Sequence, residues 1–349
     1  MRATLFCVNP YAFGILKPLC DELKRQGHSI LWYVSERIAG TFPFKDNDEV
    51  TTSIADVFHF GNDAIFVPGN ELPPYLPGVK VQVFHGLAGE KKGHFRIRHY
   101  FDLYLTQGPY FTSRFNQLAA THNNFVVMET GWCKLDPLFS NLIAAKEERD
   151  SILALKGKEK LVLYAPTFSP SLTSTVLLRD EIFKLADEQS VHVMIKFHDL
   201  MDPSIAQQYA SLASTRSNVE IVTDRNIIKY MQMADVMISD TSSVVYEFIL
   251  LNKPVITLCS HSENISWKDI AKASDLTQAY IETITSDPFA ANRAKVVAAY
   301  HPYSDGKSSE RMIKAVESYI ADFGVPQKRK LNVYRRYKMY KMFGAKPKL

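Results

Sequence analysis

Three stretches of this chain carry residues able to handle phosphate and protons, and each follows a short apolar run. In Val236-Met-Ile-Ser239-Asp240-Thr241-Ser242-Ser243-Val-Val-Tyr-Glu247 the run ends in a hydroxyl-rich turn that opens a helix. The first N–H groups of a helix have no intrahelical partner, and the axial dipole places positive potential beside them, so such a turn suits a phosphate. Asp240, Thr241, Ser242 and Ser243 are therefore candidates for a nucleotide-phosphate site. Glu247, about one turn on, is placed to accept from ribose hydroxyls. The same segment also reads as a plain N-cap.

The second stretch is Val83-Phe-His85-Gly86, with Lys91 and Lys92 downstream and Arg96 and Arg98 beyond. An imidazole titrating near neutrality can take a proton from a hydroxyl. Gly86 permits close backbone approach, and Lys91 and Lys92 can hold an anionic acceptor. The third stretch is Ile195-Lys196-Phe-His198-Asp199, where a cation or donor would neutralise charge on a leaving phosphate. Tyr164-Ala-Pro166-Thr167-Phe is a strand with a Pro-stiffened turn that can wall a cleft. In Asp305-Gly306-Lys307-Ser308-Ser309-Glu-Arg311 another turn opens a helix. Each of these also has a structural reading, as a strand-end histidine, a solvated surface turn or a capped helix.

These residues need elements to position them. A strand at Ala3–Val8, a helix from about Ile15 to Gln26 and a strand at Ser29–Val34 open the chain, with Leu16, Leu19, Cys20 and Leu23 at helical spacing and Gly27 as a stop. Further apolar runs lie at Ala64–Val67, Val79–Phe84, Leu103–Thr106 and Phe125–Met128. A second series begins at Leu161–Ala165 and continues through His192–Lys196, Val219–Val222, Ala234–Ile238 and Pro254–Leu258. Helical stretches lie near Leu177–Gln189, Pro203–Ala213, Ser243–Leu251 and Ser308–Ile320. Alternating strand and helix implies α/β architecture with parallel, doubly wound sheets. The expected organisation is a first Rossmann-like domain over 1–145, a charged linker near 140–157, a second such domain over 155–305, a closing helix over 306–327 and a basic tail over 328–349. Ligands of open α/β sheets bind at the carboxyl ends of strands, which is where the candidate residues fall.

Composition excludes several classes. The chain has 349 residues, 46% hydrophobic and 22% charged, which suits a soluble globular protein of two domains. No run of about 18 apolar residues offers a membrane span, and Pro10 arrives before a signal-peptide core could form. Cys7, Cys20, Cys133 and Cys259 are scattered, without the spacing of a metal site or disulfide framework. No G-x-G-x-x-G follows the first strand, and no complete Walker pattern occurs. Asp46-Asn47-Asp48 reads as a loop rather than a metal site. The expectation is chemistry with no cofactor and no dedicated metal. From Lys328 to Leu349 there are nine Lys/Arg and no acid, whereas the rest carries 32 basic and 37 acidic groups. With Tyr334, Tyr337 and Tyr340 at helical spacing, that tail suits an anionic bilayer surface. Solvated tail is the alternative, and no basic face suited to nucleic acid appears elsewhere.

Taken in order, these motifs resemble the CDP-glycerol glycerophosphotransferase family, the teichoic-acid primases and polymerases, from about Gln82 to Ile320. His85-Gly86 with Lys91-Lys92 is similar to the family's Trp-His-Gly segment and its lysine pair. Tyr164-Ala-Pro-Thr167-Phe resembles its strand-turn element, Lys196-Phe-His198 its Lys-x-His-Pro, Ser239-Asp-Thr-Ser-Ser243-Val its Ser-Asp-x-Ser-Ser-Val, and Asp305-Gly-Lys-Ser-Ser-Glu-Arg311 its closing motif. Phe84 stands for the family's tryptophan and Asp199 for its proline. Lys134 stands for arginine in Gly131-Trp-Cys-Lys134-Leu-Asp136, giving up planar bidentate binding.

The resemblance implies a GT-B fold, two Rossmann-like domains facing across a cleft, with the nucleotide held mainly by the second. It implies His85 and His198 as the essential histidines, and donor contacts from Thr167, Lys196, Asp240, Thr241, Ser242, Ser243, Glu247, Ser308 and Ser309. Gly86, Lys91 and Lys92 would serve the acceptor. The implied reaction transfers glycerol phosphate or a related alditol phosphate from a CDP-linked donor to a hydroxyl of a lipid- or polymer-linked acceptor, releasing CMP. The implied place is cytoplasmic, peripheral on the inner face of a bacterial membrane. A nucleotide-sugar glycosyltransferase of the same fold, in capsule or O-antigen synthesis, and a non-catalytic membrane-associated scaffold remain as alternatives.

Overall fold

Apolar runs too short for spanning helices become buried parallel strands here. The computed structural model describes residues 1–87, 94–224, 226–262 and 265–348. Chain contacts divide it into two compact units, Met1–Asp136 with Ala299–Leu349 (unit 1) and Pro137–Ala298 (unit 2). Unit 1 begins with β1 (Arg2–Cys7), α1 (Tyr11–Arg25), β2 (Ser29–Val34), β3 (Val50–Thr51), α2 (Ile54–His59), β4 (Ala64–Val67), β5 (Val79–Gln82), β6 (Leu103–Thr106), α3 (Pro109–His122) and β7 (Val126–Glu129). A one-turn helix, α4 (Asp136–Phe139), leads into unit 2. There follow α5 (Leu142–Lys156), β8 (Lys160–Tyr164), α6 (Thr175–Glu188), β9 (Val191–Ile195), α7 (Pro203–Ala213), β10 (Val219–Ile221), α8 (Ile227–Met233), β11 (Val236–Ser239), α9 (Val244–Ile249), β12 (Val255–Leu258), β13 (Lys268–Ile270) and α10 (Leu276–Thr285). The chain returns through α11 (Ala290–Tyr300) to α12 (Ser308–Phe323) and α13 (Val333–Phe343).

Unit 1 holds a parallel sheet in the order β3-β2-β1-β4-β5-β6-β7, and unit 2 one in the order β10-β9-β8-β11-β12-β13. Strands covered on both faces tend to be apolar rather than alternating; β4, β5, β6, β9, β11 and β12 are buried along their whole length, and in β5 the polar Lys80 and Gln82 are buried by donating to the Gly78 and Pro68 carbonyls. On α1 the stripe Leu16, Leu19, Cys20 and Leu23 is fully buried. Gly27, at φ 77°, closes that helix, its N–H donating to the Lys24 carbonyl at 2.9 Å. Each sheet reverses its winding once, between β1 and β4 in unit 1 and between β8 and β11 in unit 2. Loops leaving the two strands at such a point diverge and open a crevice.

The division differs from the sequence expectation in three places. Residues expected as linker, 140–157, form α5 of unit 2, because Arg149 makes a two-pronged bond to Asp235 (2.7 and 3.2 Å) while Ala145 and Leu153 are buried. Residues 299–305, expected in the second domain, belong to unit 1. So does α12, whose Met312, Ile313 and Val316 are buried and which packs on α1.

Nor is the basic segment a free tail. The Arg329 N–H donates to Pro74 O at 2.8 Å, and its guanidinium donates to His99 O and Asn124 O, both at 2.6 Å, and to the Asp102 carboxylate. Beyond it α13 lies on unit 1 through buried Met339, through Tyr340 stacked on Tyr75, and through Phe343 edge-on to Phe6. Val333, Tyr334 and Tyr337 remain exposed.

Candidate active site

Unit 1 presents His85 just past the carboxyl end of β5. Phe84 has φ 61°, a left-handed backbone uncommon for a bulky residue. Its ring is held by His94, stacked at 5.3 Å, and by Phe115 at 5.0 Å. The turn leaves His85 exposed while its Nδ1 lies 2.9 Å from the Pro68 carbonyl oxygen. A carbonyl only accepts, so Nδ1 carries the hydrogen and Nε2 of the neutral ring keeps a lone pair. That is the tautomer a general base requires. Gly86 is fixed by Gln107, whose amide donates to its carbonyl at 3.1 Å, and a Cβ there would meet nothing within 4 Å. Lys91 and Lys92 lie outside the described residues. Tyr11, which sequence reasoning passed over, sets its ring 5.3 Å from that of His85.

In unit 2 the serine turn sits at the winding reversal. The Ser239 hydroxyl at the end of β11 donates to Ala165 O beyond β8, at 2.7 Å. Asp240 is buried, and its carboxylate accepts from Thr167 N (2.9 Å), Ser174 N (2.8 Å) and Ser174 Oγ (2.9 Å). Burial still raises its pKa against those bonds. Asp240 therefore does not bind phosphate as expected; like charge would repel the ligand, and its role is to tie the loop after β8 to the turn. Thr167 uses its N–H in that tie. The Thr241 hydroxyl accepts from His261 N at 3.0 Å, fastening the loop that follows β12.

Ser242 is half-buried and Ser243, at the start of α9, is exposed. With six residues α9 has a small dipole, so hydroxyls and first-turn amides matter more than the axial field. Glu247 is half-buried on the first turn. Lys196 is 8% exposed and donates to Phe197 O at 2.8 Å. His198 is exposed, rests on Phe168 at 4.4 Å and accepts the Leu200 N–H on Nδ1 at 3.1 Å. In the neutral ring Nε2 must then carry the hydrogen, making it a donor.

The family described as CDP-Glycerol:Poly(glycerophosphate) glycerophosphotransferase matches residues 85–318, from the first imidazole into α12. The chain belongs to that family. It is 26% identical over 182 residues to a teichoic acid glycerol-phosphate primase of Bacillus subtilis (strain 168), covering 47% of this chain and 45% of the relative. It is 24% identical over 208 residues to the teichoic acid ribitol-phosphate polymerase TarK of Staphylococcus aureus, covering 54% and 40%. The matched segment thus spans less than half the length of either relative. Among solved structures, the wall teichoic acid polymerase TagF aligns with a TM-score of 0.56 at 14% identity, over 92% of this chain and 89% of that one. UDP-GlcNAc 2-epimerase from Neisseria meningitidis aligns with a TM-score of 0.59 at 13% identity, over 91% and 100%. The fold is therefore the two-domain, Rossmann-like GT-B type.

The glycerophosphotransferase match includes the closing motif, yet Ser308 and Ser309 are not placed to hold a donor phosphate. Both are buried in unit 1, and their N–H groups donate to the Asp136 carboxylate at 2.8 and 2.7 Å. The chain's own carboxylate fills the anion position at the start of α12, a side-chain cap supplied from 172 residues away. Arg311 supports the same corner, donating to Thr130 O at 2.8 Å and lying over the Tyr303 ring. Among the described residues no group of three or more His, Cys, Asp and Glu is placed to hold a metal, and no helix is long and apolar enough to cross a membrane.

Proposed function

We propose that this chain transfers glycerol phosphate, or a related alditol phosphate, from a CDP-linked donor to a hydroxyl of a lipid- or polymer-linked acceptor of the teichoic-acid type. The observation that carries the reading is the opposed wiring of the two imidazoles: His85 keeps an acceptor at Nε2 and His198 keeps a donor there. His85 Nε2 takes the proton of the acceptor hydroxyl as its oxygen attacks the phosphorus bearing the alditol. The phosphoanhydride bond breaks and CMP leaves. His198 Nε2–H, the hydroxyls of Ser242 and Ser243 and the first amides of α9 neutralise the charge, and Glu247 accepts from ribose. Oriented donors of this kind can each lower the barrier by about 3 kcal/mol. The reading assigns no step to a cofactor or metal.

Family membership and the primase and polymerase relatives support this substrate class. The exposed tyrosines and cations of α13 support a place on the anionic inner surface of a bacterial membrane, where a lipid-linked acceptor would lie. The test is CMP release from CDP-glycerol in the presence of acceptor, compared between wild type and His85→Ala. A loss of about 10²- to 10⁴-fold is expected with the fold intact by circular dichroism. Transfer at the wild-type rate would remove His85 from the mechanism, and release of UDP from a UDP-sugar in place of CMP would change the reaction class.

A further inference from the structure

Four adjacent strands of unit 1, β2, β1, β4 and β5, end along one rim of the sheet. His85 stands at the β5 end of that rim. At the other end, in the 3-10 turn Glu36–Thr41 that follows β2, Arg37 is exposed yet pinned: Nη2 donates to Asn9 Oδ1 at 2.9 Å and to Val8 O at 3.1 Å. Asn9, just past β1, donates from Nδ2 to the Tyr11 hydroxyl at 3.4 Å, and the Tyr11 ring lies against His85. Burial holds the phenol above its usual pKa, so it stays a neutral donor. Past β4, Asn70 Oδ1 accepts from Arg98 Nη1 at 3.1 Å. Among the described residues neither Arg37 nor Arg98 is paired with a carboxylate. The nearby acid Glu71 is paired with Lys338 at 3.2 Å. Two guanidiniums are thus oriented by neutral acceptors, with Nη1 and Nε of Arg37 still available, the arrangement that receives an oxyanion with little loss of side-chain freedom.

We infer that this rim is the acceptor track, on which Arg98 and Arg37 bind phosphodiester groups of the acceptor chain while its terminal hydroxyl meets His85. The inference rests on the proposed transferase reading and adds a binding site to it. Adjacent strands lie about 4.8 Å apart, and the Arg37 guanidinium is bonded to residues just past β1, so it stands roughly 10 Å, two strand spacings, from the His85 position. It therefore contacts a phosphate set back from the reacting hydroxyl, not the nearest one. The Tyr11 hydroxyl and ring fill the interval.

The site can be tested with and without catalysis. Calorimetry measures oligo(glycerol phosphate) binding to wild type, Arg37→Ala and Arg37→Lys in the absence of donor. Steady-state transfer compares an oligo(glycerol phosphate) acceptor with a single-phosphate acceptor, and a lipid-diphosphate acceptor separates a lipid source of the anion from the polymer. Arg37→Ala should weaken oligomer binding and raise its KM about tenfold, the loss of one charge-assisted bond. It should leave kcat and the CDP-glycerol Kd unchanged, and Arg37→Lys should restore part of the affinity. The single-phosphate acceptor should not register the change. Equal KM for wild type and Arg37→Ala on the oligomer would overturn the site while leaving the transferase reading standing. Oligomer bound by wild type and lost in Arg37→Ala, with no CMP released by wild type, would keep the site and end the transferase reading. A penalty equal for short and long acceptors would overturn the track.

Discussion

Both units place a histidine just past the carboxyl end of a parallel strand, and both leave it exposed. Their chemistry differs because the backbone offers opposite partners to Nδ1. In unit 1 a carbonyl takes a hydrogen from His85; in unit 2 an amide gives one to His198. One hydrogen bond on the far nitrogen therefore decides whether Nε2 of the neutral ring accepts or donates. The supporting turns differ in kind too. Unit 1 uses a left-handed Phe84 braced by aromatic rings, whereas unit 2 uses a buried carboxylate, Asp240, that gathers three donors.

Glutamine separates the two roles most sharply. Its amide N–H can stand in for the Nε2–H of His198, but nothing in it can take a proton in place of His85. His85→Gln should be as impaired as His85→Ala, about 10²- to 10⁴-fold in kcat. His198→Ala should lose about 10- to 100-fold, the range of a hydrogen bond to a charged group, and His198→Gln should recover part of that loss. Single-turnover CMP release measures all four. Equal recovery by glutamine at both positions would break the comparison.

Much of this arrangement is legible in the sequence, and the remainder fails for identifiable reasons. The apolar runs at 29–34, 64–67 and 103–106 coincide with β2, β4 and β6, and the stretch 203–213 with α7. Two- and three-residue strands such as β3 and β13 are too short to leave a period. The helix α5 reads as linker because its centre, 146–150, is a run of charged residues and its anchor, Asp235, is 86 residues away. The position of His85, His198 and the serine pair after β5, β9 and β11 is legible because strand-end placement is itself a sequence property. Which nitrogen carries each hydrogen is not, since Pro68 lies 17 residues from His85. Asp136 and Asp240 look alike from sequence, acids near a helix start, and only the fold shows each satisfied within its own unit. Arg37 and Tyr11 were missed because the residues after β1 and β2 carry no histidine or serine cluster. The sole signal was Asn9-Pro-Tyr11 directly after an apolar strand.

Acid should distinguish the units by a smaller margin. His301 in unit 1 is 1% exposed, and its Nε2 accepts the Trp132 N–H at 3.1 Å. Burial and the nearby Arg311 push its pKa down from 6.5 to about 4. A depressed pKa means the fold binds fewer protons than the unfolded chain, so its stabilising effect is complete above pH 6.5 and is lost as pH falls toward 4. The loss amounts to about 3 kcal/mol at the acid end. Burial of Asp136 acts with the opposite sign, since its raised pKa favours the protonated carboxyl. Hydrogen exchange between pH 7 and pH 4 should show unit 1 amides around Trp132 opening first, and His301→Asn should flatten that dependence. A flat profile in the wild type would remove His301 from the account.

The smallest effect concerns the outward face of α13 on unit 1. Deleting residues 328–349 cannot test a membrane role cleanly, because Arg329 bonds three separate places in unit 1 and α13 covers Phe6 and Tyr75. Point changes on the outward face avoid that. Arg336 and Tyr337 are both exposed, so Arg336→Ala with Tyr337→Ala should shift stability by no more than about 0.5 kcal/mol. Each cation near an anionic surface contributes about 1 kcal/mol, and an amphipathic ring at the headgroup level adds to it. Flotation with phosphatidylglycerol vesicles should therefore show binding reduced by about tenfold in the double variant, while CDP-glycerol affinity stays constant. Wild-type binding that is equal on neutral and anionic vesicles, or a double variant that binds like wild type, would return α13 to a purely structural role as the element that holds the 70–76 and 97–102 segments in place beside the acceptor rim.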